Sequence, residues 1–197
     1  MAAGLKGVKG ISAIEVNISC PNVEKGGMAF GTDPDISSRV TERVLKNSDK
    51  PVIVKLSPNV TDIRAIAMAV EKAGAHAVSL INTLTGMAID IESRTPILAN
   101  ISGGLSGPAI RPVALYMVYQ VARTVNIPVI GVGGIVDHRD AFQFLIAGAT
   151  AIQVGTANFV NPRATLNTIE GLKTFCAERG IARIDEIIGS LKPADQP

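Results

Sequence analysis

The chain has 197 residues, 47% of them hydrophobic, with 19 basic and 17 acidic side chains for a net charge of +2; with a mean hydropathy of +0.31 this is apolar enough for one globular core and argues against disorder. Charges form no basic block and aromatics make up only 4%, so nucleic-acid binding has no support. No apolar run reaches the ~18 to 20 residues that span a bilayer, MAAGLKGVKG lacks a signal-peptide core, and Cys20 and Cys176 form no CxxC pair, so the expectation is a reduced, cytoplasmic protein without membrane span, disulfide framework or zinc site.

In chain order, AIEVNIS (13–19) reads as a first strand that stops at SCPN. GGMAFGTDP (26–34) holds three glycines and reads as a mobile loop able to act as a lid. A helix follows over 35–47, then a strand in PVIVKLS (51–57) and a helix in TDIRAIAMAVEKAG (61–74), capped by Thr61 or Asp62 and ended by Gly74. AVSLIN (77–82) is the third strand. Residues 84–107 then alternate in MAIDIES and PILANIS around SRTP, which predicts a hairpin excursion ending in SGGLSG; ordered insertions of this length are usually functional. A helix over 108–124 leads to strand IPVIGVGG (127–134), a helix over 137–148 capped by Asp137 and closed by Gly148, strand TAIQVGT (150–156) and a last apolar helix over 162–179.

The strands are short, rich in Val and Ile and almost continuously apolar, a pattern of parallel strands covered on both faces. Five strand-then-helix units leave a doubly wound sheet or a barrel. The glycines decide for a (β/α)8 TIM barrel, because phosphate in such barrels commonly sits on the loops after the last two strands, and here those ends read GVGG (131–134) and VGT (154–156). A whole barrel has eight units over about 250 residues. The expectation is therefore a single partial barrel domain over 1–197, its last five β/α units, with the first three absent.

Cys20 lies just past the first strand, where barrel enzymes place catalytic groups, and Pro21 biases it toward extended backbone. A lone cysteine is more often a small buried hydrophobe, but Asn17, Ser19 and Asn22 around it point to chemistry. Asn17, Asn22 and Asn82 all stand at strand ends. Each suits a turn; together they suggest amide groups aimed at a planar ligand with alternating N–H and C=O. Lys55 interrupts VIV-K-LS, and lysine is rarely buried without a partner; a fixed cation beside an anionic cofactor is the functional reading. His76 and His138 read as solvated and unpaired, and Cys176 as a core thiol.

NISCPNVEKGGMAFGTDP, VIVKLSPNVTD, INTLTG, RTPILANISGGLSGPAIRPVAL, IPVIGVGGI and VGTANF occur in this order. They resemble the blocks of the dihydroorotate dehydrogenases, and cysteine in SCPN resembles the NAD-linked (class 1B) catalytic subunit. The resemblance implies an FMN-binding barrel that oxidises dihydroorotate to orotate in pyrimidine synthesis. It implies that Cys20 is the general base removing the C5 proton while hydride leaves C6 for the flavin. It implies that Asn17 contacts both FMN and substrate, that Asn22, Asn82 and Thr83 hold the pyrimidine, and that Lys55, Ile81, Gly107, Gly133, Gly134, Gly155 and Thr156 line the FMN site. The implied partner is an electron-transfer subunit with FAD and an iron–sulfur cluster that passes electrons to NAD, in a heterotetramer built on a homodimer of catalytic chains.

Two alternatives remain open at the level of sequence. A dihydropyrimidine dehydrogenase-like flavin domain uses a similar cysteine loop, although GGMAFGTDP and ANISGGLSGPAIRPVAL favour dihydroorotate. A truncated, non-catalytic fragment would retain the same residues.

Overall fold

The computed structural model describes residues 1–19 and 27–192. After a 3-10 turn at Ala2–Leu5 the chain runs through β1 (Ile14–Asn17), α1 (Gly27–Thr32), α2 (Pro34–Lys46), β2 (Val52–Lys55), α3 (Ile63–Lys72) and β3 (Ala77–Leu80). An excursion follows, made of β4 (Leu84–Gly86), β5 (Ile89–Asp90), β6 (Thr95–Pro96) and β7 (Gly103–Leu105). The chain then continues through α4 (Arg111–Ala122), β8 (Val129–Val132), α5 (His138–Ala147), β9 (Ala151–Gln153), α6 (Ala157–Val160) and α7 (Ala164–Glu178).

The five expected strands form one parallel sheet in the order β1-β2-β3-β8-β9, each leading into a helix. This is the arrangement of a (β/α)8 barrel over five of its units. Helix ends follow the sequence signals. Asp33, Asp62 and Asp137 accept hydrogen bonds from the first-turn N–H groups of α2, α3 and α5, and Gly148 ends α5 in the left-handed conformation (φ 117°).

Side-chain alternation divides the sheet. One face presents Val52, Val54, Val78, Leu80 and Val129, none more than 2% exposed, to Ile66, Val70, Val118, Val121 and Phe144 of the helix layer. Gly131 is required here, because a Cβ would stand 2.6 Å from the Phe144 ring. The other face carries Glu15, Asn17, Ile53, Lys55, Ile130 and Gln153, half-buried or exposed, on either side of the buried Ala77 and Ser79 of β3. The expectation of cover on both faces is met in part among the described residues: helices pack on the outer face, while the inner face is buried at the central strand and is an open trough with polar side chains toward the edges. The sheet curls so far that its two edges touch, with Gln153 Nε2 on β9 donating to Glu15 Oε2 on β1 at 2.8 Å.

The excursion folds as expected, in two tiers. β4 pairs antiparallel with β7 and β5 with β6, and Met87, Ile89, Ile91, Ile97 and Ile101 stand exposed along it. The glycine-rich 26–34 stretch departs from its reading as a mobile loop. Residues 27–32 are helix α1, and Gly31 packs so closely under Ile18 that a Cβ would lie 2.8 Å from the Ile18 carbonyl oxygen; tertiary packing overrides the poor helix propensity of glycine. Residues 108–110 form a 3-10 turn before α4 rather than its first turn, and α6 was not anticipated. Cys176 is half-buried rather than core. His76 is exposed as expected, though its Nδ1 accepts the Val52 N–H at 3.1 Å. Among the described residues, no helix is long and apolar enough to cross a membrane.

Candidate functional site

All five strands of the sheet are parallel, so their C-terminal ends share one rim, and there the chain leaves a cavity of about 330 Å³. Lys55 enters it from the end of β2, Ile81, Asn82 and Thr83 from just past β3, Gly133 and Gly134 from past β8, and Gly155 and Thr156 from past β9. Gly107, at the foot of the excursion, completes the wall. The structure therefore brings these sequence-predicted residues together although they span a hundred positions.

Asn17 joins the group through hydrogen bonds. Asn82 Nδ2 donates to Ser19 Oγ and to the Ser19 carbonyl, each at 2.9 Å, and lies 3.4 Å from Asn17 Oδ1. Ser19 in turn gives its N–H (3.1 Å) and its hydroxyl (3.0 Å) to Asn17 Oδ1. The carbonyl of Asn17 and the amino group of Asn82 are thereby fixed. The opposite ends of the two amides, Asn17 Nδ2 and Asn82 Oδ1, have no hydrogen-bond partner among the described residues, a donor and an acceptor on one rim. Cys20 and Asn22, the expected base and its neighbour, lie outside the described residues.

The glycines differ in why they are glycine. Gly107, Gly133 and Gly134 have φ of +86°, +135° and +75°, which L side chains rarely adopt, and a Cβ on Gly134 would stand 2.8 Å from the Gly107 carbonyl oxygen. Gly155 is under no such demand: its backbone is outside the left-handed region and a Cβ would meet no atom of the described residues within 4 Å. It lines the cavity, and among the described residues packing does not require glycine there, whereas close approach of a ligand would.

One further feature fits an occupant with an anionic part. Lys55 stands half-buried on the cavity wall and makes no salt bridge among the described residues. Ser79, beside Lys55 in the sheet register, has a buried hydroxyl without a hydrogen-bond partner among those residues, but it does not line the cavity. No group of three or more His, Cys, Asp or Glu side chains poised for a metal occurs among the described residues.

The residues supporting the site were less visible in the sequence. Asn59 holds the root of the excursion, its Nδ2 donating to the Thr83 carbonyl at 3.0 Å and its Oδ1 accepting the Thr85 N–H at 3.0 Å. Thr156 Oγ1 donates to Ser106 Oγ at 2.8 Å, tying the loop after β9 to the foot of the excursion. The only signal for Asn59 was its place after a proline at a strand end, and Ser106 had none beyond its glycine neighbours.

Comparison with known proteins gives a consistent result. The family model for dihydroorotate dehydrogenase matches residues 3–176. The catalytic subunit of dihydroorotate dehydrogenase B (NAD(+)) from Trichlorobacter lovleyi is 58% identical over 98% of this chain and 63% of its own length. The subunit of the same name from Geotalea uraniireducens is 59% identical over 92% of this chain and 59% of its own length. The chain thus spans about three-fifths of the length of the curated relatives it matches. A crystal structure of the Eimeria tenella dihydroorotate dehydrogenase in complex with ferulenol superposes with a TM-score of 0.74 over 91% of this chain and 54% of the other, at 22% identity, a likeness of fold. With a family model covering most of its length and close relatives along nearly all of it, this chain belongs to the dihydroorotate dehydrogenase family.

Proposed function

We propose that the chain provides the FMN- and substrate-binding part of an NAD-linked dihydroorotate dehydrogenase, folded as a single partial barrel domain and working in the cytoplasm. The observation that carries this reading is the cavity where Lys55, the strand-end glycines and the Asn82 amide meet, beside a glycine at 155 that packing among the described residues does not require. Bound FMN supplies the hydride acceptor for C6 of dihydroorotate.

The chain's residues supply the rest. Gly107, Gly133, Gly134, Gly155 and Thr156 would hold the ribityl phosphate, since glycine lets backbone N–H groups approach an anion closely. Lys55 offers a fixed positive charge beside the ring system. The free ends of Asn17 and Asn82, with Thr83 and Asn22, bind the pyrimidine, whose ring amides present matching donors and acceptors. Cys20, as thiolate, removes the C5 proton and leaves the C5–C6 double bond of orotate. Because the thiolate is the base, that step speeds up as pH rises until the thiol is ionised. A partner subunit with FAD and an iron–sulfur cluster would take the electrons onward, in an assembly built on a homodimer of catalytic chains. Such a cluster takes four thiolates, more than the two cysteines in these 197 residues.

The test is spectroscopic. The purified chain is loaded with FMN and mixed with dihydroorotate without oxygen. Bleaching of the flavin bands is expected, and in Cys20→Ser the flavin should bind as before while bleaching slows by about a hundredfold or more, the usual weight of a general base. A chain that takes up no flavin, or a Cys20→Ser chain that bleaches at the original rate, would overturn the reading.

A further inference from the structure

Behind the glycine wall of the cavity, and not lining it, lies an ion pair between two helix starts. Asp140, in the first turn of α5, is 6% exposed, and its Oδ1 meets Arg111 Nη1, at the start of α4, at 2.5 Å. Its other oxygen accepts the Val136 N–H at 3.0 Å. One carboxylate therefore holds the loop after β8 by its backbone and the foot of the excursion through the residue that begins α4.

The two segments it joins meet at Gly134. A Cβ there would lie 2.7 Å from Arg111 Cβ, 2.8 Å from the Gly107 carbonyl oxygen and 3.0 Å from the Arg111 nitrogen. Gly107, Gly134 and Val136 all line the cavity, so what fixes their spacing fixes the width of this end. Asp137 caps α5 by accepting the N–H groups of Arg139 and Asp140, which orients the first turn and leaves the Asp140 side chain for the cross-link. The contact is a single one, Arg111 Nη1 to Asp140 Oδ1, so the cross-link rests on opposite charges held at close range with the carboxylate almost fully buried.

We infer that the Arg111–Asp140 pair is a positioning device for the phosphate end of the flavin cavity: it sets the separation of the Gly107 turn from the Gly133–Gly134 turn and so confers preference for the phosphorylated flavin. This rests on the flavin reading above. The pair acts through backbone it holds and touches neither substrate nor cofactor.

The test compares FMN with riboflavin, which differ only in the phosphate, by titration of the chain and of two variants with folding checked by circular dichroism. Asp140→Asn keeps the size and an acceptor for Val136 but loses the charge. Arg111→Met keeps most of the stem but loses the charge. Both variants should lower the ratio of FMN to riboflavin affinity by roughly tenfold, the loss of about one good polar contact, with riboflavin affinity unchanged. A purely structural role would weaken both flavins alike and overturn the inference, as would an unchanged ratio. A ratio that rises in Asp140→Asn would also overturn it, since freed Arg111 would then be the phosphate ligand. If the unaltered chain binds neither flavin, the flavin reading falls first and the pair's task with it.

Discussion

Asn82 shows how much of the site is settled by single side chains. Its amino group is committed to Ser19, whose hydroxyl is committed to Asn17, so each amide keeps one defined end free, that of Asn82 on the cavity wall. Gly155 gives the sharpest residue-scale prediction. Because a Cβ there would meet no atom of the described residues within 4 Å, Gly155→Ala should leave the circular dichroism spectrum and melting temperature unchanged. The methyl group would intrude on the bound flavin instead, and overpacking by one carbon costs about 1–3 kcal/mol, so FMN affinity should fall about tenfold or more by fluorescence titration. The glycines, Lys55 and Asn82 were legible in the sequence because each broke a local rule: glycine runs at strand ends, a lysine in an apolar strand, an amide where a strand stops. Asn59 offered only its place after a proline at a strand end and the Arg111–Asp140 pair offered nothing local, since their partners stand 24 to 29 positions away in the chain.

At the scale of elements, α3 joins a capped start to an apolar inner face. Ile63, Ile66, Ala67 and Val70 are buried against the sheet, and Asp62 accepts the Arg64 N–H at its first turn. The Arg64 guanidinium, and then the Arg64 N–H, hold the Asp62 carboxyl below the usual carboxylate range. The folded pKa is thus depressed, so the cap's contribution is fully present above the ordinary value of about 3.9 and is lost as pH falls through the folded value. Asp62→Ala should lower the melting temperature at pH 7 by about 2–4 °C, and the gap between variant and parent should close in acid. A gap that does not depend on pH would show that the carboxylate charge is irrelevant. Strands and long helices of this kind could be read from apolar period and caps. Helix α1 could not, because its glycines argue for a loop until the close fit of Gly31 under Ile18 is known.

The whole molecule has one finished side and one open side. Leu80 faces the helix layer with no exposed surface, whereas Ile53 points into the trough and is only partly buried. Leu80→Ala should cost about 2–5 kcal/mol in urea unfolding, the range for core truncations, with Ile53→Ala costing less than half as much and neither changing the slope with denaturant. Equal costs would mean that the trough is packed in solution. The barrel class was legible from five strand–helix units and two glycine ends. The partly open inner face was not, since Val- and Ile-rich strands look alike whether one face or both are covered, and only Glu15, Lys55 and Gln153 hinted otherwise.

The order of the sheet has a consequence for how the molecule comes into being. Strands β1, β2, β3, β8 and β9 lie side by side in the order in which they occur along the chain, and α2, α3, α4, α5 and α7 each touch the next. Each new unit docks on the one just before it, so loop-closure entropy stays small at every step. A chain emerging from the ribosome can thus assemble vectorially, one unit at a time. The bond from Gln153 to Glu15, across 138 residues, must wait until the last strand has been made.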